Sequence, residues 1–254
     1  MARRVVRDDA EPLALVTADG VTLSALAYGA RDADVAIVFG HGFTGSQRNP
    51  KVVELAEHLG EMSAVYTADF RGHGASGGIS TLGAREVDDL EAVLAVARDR
   101  HPTVVSVGAS MGGFIALRHA GLGGTVDAVV SISSPAVSGR PQMMRARLLS
   151  RAVQTRRGRR LLDLYGTRVG PFDSAVTPPL DLVGEIAPVP VAIVHGQRDR
   201  YVPVRDAHAL YERLGEPRRL VVLPGFGHAE AGFDVPFAAM LGSLVTELLA
   251  ARST

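Results

Sequence analysis

The sequence predicts an α/β fold, with a mostly parallel eight-stranded sheet covered by helices on both faces. Three observations carry this. Short β-rich runs alternate with helical stretches along most of the chain, the signature of strand–helix–strand units. Val35–Phe39 is a continuous apolar run, as expected of a strand buried on both faces. Glycine-rich turns also follow several of these runs directly, where a parallel sheet turns its chain into the next helix.

The elements follow in order. Leu13–Thr17 and Val21–Tyr28 flank Asp19-Gly20, a turn dipeptide suited to a hairpin. Strands are expected at Val35–Phe39, Ala64–Ala68, Val104–Val107, Ala128–Ser133, Val191–His195 and Leu220–Leu223. Helices are expected at Lys51–Leu59, Ala84–Arg100, Gly112–Ala120, Val204–Leu214 and Val235–Ala250. In the second of these Val87, Leu90, Val93, Leu94 and Ala97 keep helical spacing, and Pro102 follows closely. Between Ser133 and Val191 no strand is expected. This stretch reads as a small helical cap insertion, residues 136–185, within a single domain spanning 1–254. It holds nine arginines between Arg140 and Arg168, and Asp163 is the one acid among residues 136–168.

Bulk composition narrows the function classes. The 27 basic and 27 acidic residues cancel, so no global attraction to nucleic acid follows. Cysteine is absent, which excludes disulfides, zinc–thiolate sites and a cysteine nucleophile. The first residues are basic, but Asp8, Asp9, Glu11 and Pro12 interrupt any apolar run, unlike a secretory signal. No uninterrupted apolar stretch is long enough for a membrane span. The expectation is a cytoplasmic protein without a transmembrane segment; a homodimer is left open.

The chemistry gathers at turns after strands. Gly108-Ala-Ser110-Met111-Gly112 lies between an expected strand and an expected helix. A serine hydroxyl is a poor nucleophile unless it is exposed, aimed and deprotonated by a neighbour, and a sharp strand-to-helix turn does the aiming. Phe39-Gly-His41-Gly42-Phe43-Thr-Gly-Ser46 follows the third strand. Its Phe43 amide, with that of Met111, is the expected oxyanion hole. Among the eight histidines, His228 in Pro224-Gly-Phe-Gly-His228 is placed to act as base, and Asp199 as the acid that orients it. Ser110, Asp199 and His228 run in the chain order such sites use, each just beyond a strand end. Asp234 and Asp181 are the alternatives for the acid.

These motifs resemble the α/β-hydrolase superfamily, and its carboxylesterase- and lipase-like serine hydrolases in particular, over roughly Leu13 to Leu249. Asp69-Phe-Arg71-Gly-His73-Gly-Ala-Ser76 is similar to a D-x-R-G-H-G-x-S stretch of many members, and its expected part is structural. The His41–Ser46 run looks like the oxyanion loop of bacterial carboxyl and cinnamoyl esterases. The resemblance implies a serine hydrolase that cleaves a small-molecule carboxylic ester through an acyl-enzyme, with no cofactor and no metal. Thioesterase, amidase, carbon–carbon bond hydrolase or a low-turnover ligand-binding module on the same fold are the alternatives. His41, Gly42, Met143, Met144 and Leu148 are the expected substrate contacts. The cap arginines read either as a solvated face, as contacts for an anionic substrate, or as a membrane-docking surface.

Overall fold

The computed structural model describes residues 10–138, 143–170 and 176–252. Strands β1 (Glu11–Val16), β2 (Thr22–Tyr28), β3 (Val35–Gly40), β4 (Ala64–Ala68), β5 (Thr103–Ala109), β6 (Ala128–Ile132), β7 (Val191–Gly196) and β8 (Arg218–Leu223) form one sheet. Their spatial order is β1-β2-β4-β3-β5-β6-β7-β8. The pairs β1–β2 and β2–β4 are antiparallel, and the rest are parallel. The hairpin expected around Asp19-Gly20 is present, pairing Val16 with Thr22.

Alternation along each strand sorts side chains onto two faces. Ala36 and Val38 of β3 pack with α2 (Glu86–Arg100), α3 (Met111–Gly121) and the later helix α7 (Val204–Arg213). Ile37 and Phe39 pack with α1 (Pro50–Leu59) and the C-terminal helix α8 (Val235–Arg252). The first of these helices starts where the sequence says it must. Asn49 accepts the Lys51 amide at 3.0 Å, and Pro50 fills the first position, where its missing N–H costs nothing.

The Asp69–Ser76 stretch is a buried brace. Arg71 is 4% exposed; its guanidinium donates to Asp89 Oδ1 at 2.8 Å and forks onto both oxygens of Asp19 at 2.7 and 3.0 Å. Asp69 accepts the amides of Gln47 and Ala75. A charge buried in this way is held by paired partners and hydrogen bonds on all sides.

Among the described residues, the long stretch after β6 carries α4 (Met144–Gln154), α5 (Arg156–Leu164), the short α6 (Pro179–Leu182) and a 3-10 turn, Val183–Glu185. No strand lies there among the described residues. Two isolated bridges, His73 to Thr167 and Ser80 to Val169, tie the segment to the brace. Arg168 reinforces them by donating to the carbonyls of Ser76 and Gly78.

Candidate active site

Every group in the site stands at the carboxyl end of a parallel strand. Ser110 follows β5 with φ 53° and ψ −109°, a conformation that non-glycine residues rarely adopt, and α3 begins at the next residue. The glycines around it are a packing requirement. A Cβ on Gly112 would lie 2.1 Å from the Gly40 carbonyl oxygen, and one on Gly108 would lie 2.2 Å from the Gly112 backbone. The turn closes against the end of β3 only because both positions lack side chains. The Ser110 amide donates to the Ile132 carbonyl at 2.7 Å, fixing the turn to β6.

Three side chains from three loops form a hydrogen-bonded row. Ser110 Oγ lies 2.9 Å from His228 Nε2, and His228 Nδ1 lies 2.7 Å from Asp199 Oδ2. The other Asp199 oxygen accepts the amides of Tyr201 and Val202 at 2.8 and 2.9 Å. Burial pushes the Asp199 carboxyl up. The hydrogen bond and charge of His228, with those two amides, outweigh burial and leave it below the usual carboxylate value. An ionised Asp199 draws the imidazole proton to Nδ1 and leaves Nε2 as an acceptor facing the serine. Asp234 instead caps α8 by accepting the Phe237 amide, and Asp181 sits in the first turn of α6. Neither alternative acid is bonded to His228.

The loop carrying His228 is held from below. Ala229, at φ 46°, donates its amide to Ser133 Oγ at 3.2 Å, and Ser133 is itself at φ 52°. Behind Asp199 lies His195, fully buried, with Nε2 donating to the Val202 carbonyl at 3.1 Å. Burial lowers the pKa of His195, so it stays neutral beside the carboxylate.

The amides of Phe43 and Met111 have no acceptor among the described residues. Both residues line a cavity of about 1140 Å³ that also takes in Ser110, Gly42 and His228. Met111 is the first residue of α3, so its amide points along the positive end of a helix. The amide of Gly42 is held differently: it donates to Glu230 Oε1 at 2.6 Å. That contact joins the loop after β3 to the loop after β8 across 188 residues of chain, and nothing near either residue in sequence announces it.

Three expected substrate contacts are corrected. His41 is 1% exposed and does not line the cavity. Its Nε2 accepts the Phe70 amide at 3.0 Å, so Nδ1 carries the proton and donates to the Gly42 carbonyl at 2.8 Å. Burial, then the neighbouring His73, lower its pKa to about 3, and both nitrogens are spent on shaping the loop. Met144 is 69% exposed, on the α4 face it shares with Arg147 and Arg151; the positions three and four residues apart that line the cavity are others, including Leu148, Leu149, Ala152 and Val153. Met143 precedes the helix in extended backbone and does not line the cavity either. Leu148 and Gly42 do. Among the described residues no three His, Asp or Glu side chains converge as metal ligands.

A mostly parallel eight-stranded sheet with this strand order and helices on both faces defines an α/β hydrolase. Residues 31–179 match the Hydrolase_4 family model, described as serine aminopeptidase, S33, and the chain belongs to that family of hydrolases. Among curated proteins it is 27% identical to a monoacylglycerol lipase of Mycolicibacterium smegmatis, over 76% of this chain and 80% of that one. It is 30% identical to YqkD of Bacillus subtilis over 76% of this chain; the match spans 64% of YqkD. Among solved structures, an esterase of Pyrococcus furiosus, Pf2001, superposes with TM-score 0.76 and 22% identity, covering 98% of this chain and 96% of that one. The esterase RhEst1 of Rhodococcus sp. ECU1013 does so with TM-score 0.73 and 19% identity, covering 93% and 99%.

Proposed function

We propose that this protein is a serine hydrolase that cleaves carboxylic esters by an acyl-enzyme mechanism. The observation that carries the reading is the unbroken row from Ser110 Oγ through His228 to Asp199, at 2.9 and 2.7 Å, beside two unengaged amides. His228 Nε2 takes the proton as Ser110 Oγ attacks the ester carbonyl. The Phe43 and Met111 amides receive the developing oxyanion, each worth about 3–4 kcal/mol in comparable sites. His228 then gives its proton to the leaving alcohol oxygen, and the acyl group stays on Ser110. Water, deprotonated by His228, attacks the acyl carbon and frees the acid, returning the proton to Ser110 Oγ. Asp199 holds the tautomer and offsets the imidazolium charge throughout.

The cavity wall is rich in apolar side chains, among them Phe114, Leu149, Val153 and Leu162, which favours an ester with an extended apolar portion. The esterases and the lipase among the relatives agree with that choice. The test is turnover of p-nitrophenyl esters across acyl lengths, with fluorophosphonate labelling followed by peptide mass spectrometry. Sustained turnover with the label on Ser110 is the expected result. Labelling without turnover would make the protein a ligand-binding module, and a label on another residue would overturn the assignment.

A further inference from the structure

The cavity carries charge that the proposed ester hydrolysis does not use. Of the cap arginines among the described residues, Arg145 alone lines it. The others turn elsewhere; Arg159, for example, donates to the Val153 carbonyl, and Arg168 to the brace. Arg198 and Arg200, on either side of Asp199 in the loop after β7, join Arg145 in the lining. All three are exposed, which puts them at the mouth, and none is ion-paired among the described residues.

The remaining charges of the lining are committed. Asp206 accepts the Ala136 amide, Glu230 accepts the Gly42 amide, and Lys51 is paired with Glu54 at 3.1 Å. Amide donors leave both carboxylates charged. With Lys51 paired, the lining therefore sets three exposed guanidiniums against two carboxylates whose oxygens are already turned to the backbone. That is an excess of positive charge in a chain whose 27 cationic and 27 anionic side chains cancel.

Arg145 is also held in place. Its guanidinium lies over the Tyr201 ring at 5.6 Å, and that ring packs against the His228 imidazole at 4.8 Å. The ring contact spends none of its N–H groups, which have no acceptor among the described residues, and a guanidinium takes a carboxylate or phosphate with two parallel hydrogen bonds. Its position relative to His228 fixes which part of the substrate it meets. The leaving alcohol must depart within hydrogen-bond reach of His228 Nε2, because that nitrogen protonates it. The alcohol portion therefore extends on the histidine side, toward Tyr201 and Arg145.

We propose that Arg145, Arg198 and Arg200 form an anion subsite that selects esters whose alcohol portion bears a carboxylate or phosphate. This rests on the ester-hydrolase reading, and the experiment separates the two. Pentanoate esters of methyl 4-hydroxybenzoate, of 4-hydroxybenzoate and of 4-hydroxyphenyl phosphate give one acyl group with a neutral, a carboxylate and a phosphate alcohol. At low salt kcat/KM for one or both anionic esters should exceed the neutral one by about tenfold or more, as a charge-assisted contact implies. The larger ratio names the anion. The ratio should shrink as ionic strength rises to about 0.3 M, where exposed charges are screened. It should fall toward one in the triple variant Arg145→Gln, Arg198→Gln, Arg200→Gln, and because it compares two esters on one enzyme it does not depend on how much variant folds. Equal kcat/KM for all three esters, or a preference that survives the triple variant, overturns the subsite and leaves the hydrolase standing. If none of the three esters is hydrolysed and Ser110 takes no fluorophosphonate, the hydrolase reading falls and takes the subsite with it.

Discussion

Helices α3 and α4 are both 11 residues long and both face the cavity, yet they are opposite in kind. In α3 every residue from Met111 to Ala120 is buried, pressed between the sheet, α2 and α6. In α4 only Val153 is buried, and in the neighbouring α5 only Leu162. The groups assigned to bond cleavage stand on or beside the buried region. Those that shape the cavity mouth come partly from the exposed one. Interiors packed at crystal-like density hold a hydroxyl or an amide to within a fraction of an ångström. An exposed helix does not, but it can change its side chains at little cost to the fold.

The contrast can be broken at either end. The largest effect is expected at the turn that opens α3. Ser110→Ala should lower kcat by about 10⁴-fold or more while circular dichroism and thermal unfolding stay near wild type. Retained activity there would move the nucleophile elsewhere. Asp199→Asn should cost on the order of 10⁴-fold at neutral pH, because the amide favours the wrong imidazole tautomer. A small loss would mean that the short contact to His228 is not what orients the base. Next, Ile115→Ala in α3, at a side chain with no exposure, should destabilise the protein by about 2–5 kcal/mol in urea unfolding. A value under 1 kcal/mol would show that the buried helix is no stiffer than the cap.

A smaller effect is expected where the oxyanion loop meets the histidine loop. Glu230→Ala removes the acceptor of the Gly42 amide and should reduce kcat by about 10–100-fold with KM little changed, since a misaimed Phe43 amide is felt mainly in the transition state. Glu230→Gln keeps an oxygen acceptor and should recover most of the rate. Equal kinetics for the alanine and glutamine variants would remove Glu230 from the positioning of the loop. The smallest effect belongs to the cap. Leu164 is 84% exposed, and Leu164→Ala should shift unfolding stability by no more than about 0.5 kcal/mol. A larger loss would mean that α5 packs on something in solution and would dissolve the contrast.

What could be read from the sequence divides along the same line. The Gly108–Gly112 turn, the loop of His41–Ser46 and His228 were legible because each is local chemistry: glycines that permit a close approach, set directly after an apolar run. The eight strands were legible from their apolar runs, with ends shifted by one or two residues, as at β8, which begins at Arg218 rather than Leu220. Glu230 was not, because its meaning comes from Gly42, a partner far away in the chain. Met144 looked suited to the cavity because it shares helical spacing with Leu148 and Leu149. Spacing defines a stripe but not which of two stripes faces inward, and on α4 packing against the body turned Met144 outward beside Arg147. His41 had the right neighbours for a substrate contact, but its ring is consumed by two backbone groups. The arginine excess drew attention to residues 136–185, yet only Arg145 of that segment's described arginines lines the cavity, and the other two at the mouth come from the β7 loop, where single charges leave no compositional trace.

The order of the loops along the chain has a consequence for the protein while it is being made. Ser110 is separated from His228 by 118 residues, with the whole cap in between. At roughly 5–20 residues per second, on the order of ten seconds of synthesis separates them. Throughout that interval the nascent chain holds a serine hydroxyl with no base beside it, and a hydroxyl in that condition does not attack esters. If the proposed row of Ser110, His228 and Asp199 performs the cleavage, it has to wait until β8 has joined the sheet edge and its loop has brought the imidazole over the turn, so a chain that ends before His228 holds the serine without its base.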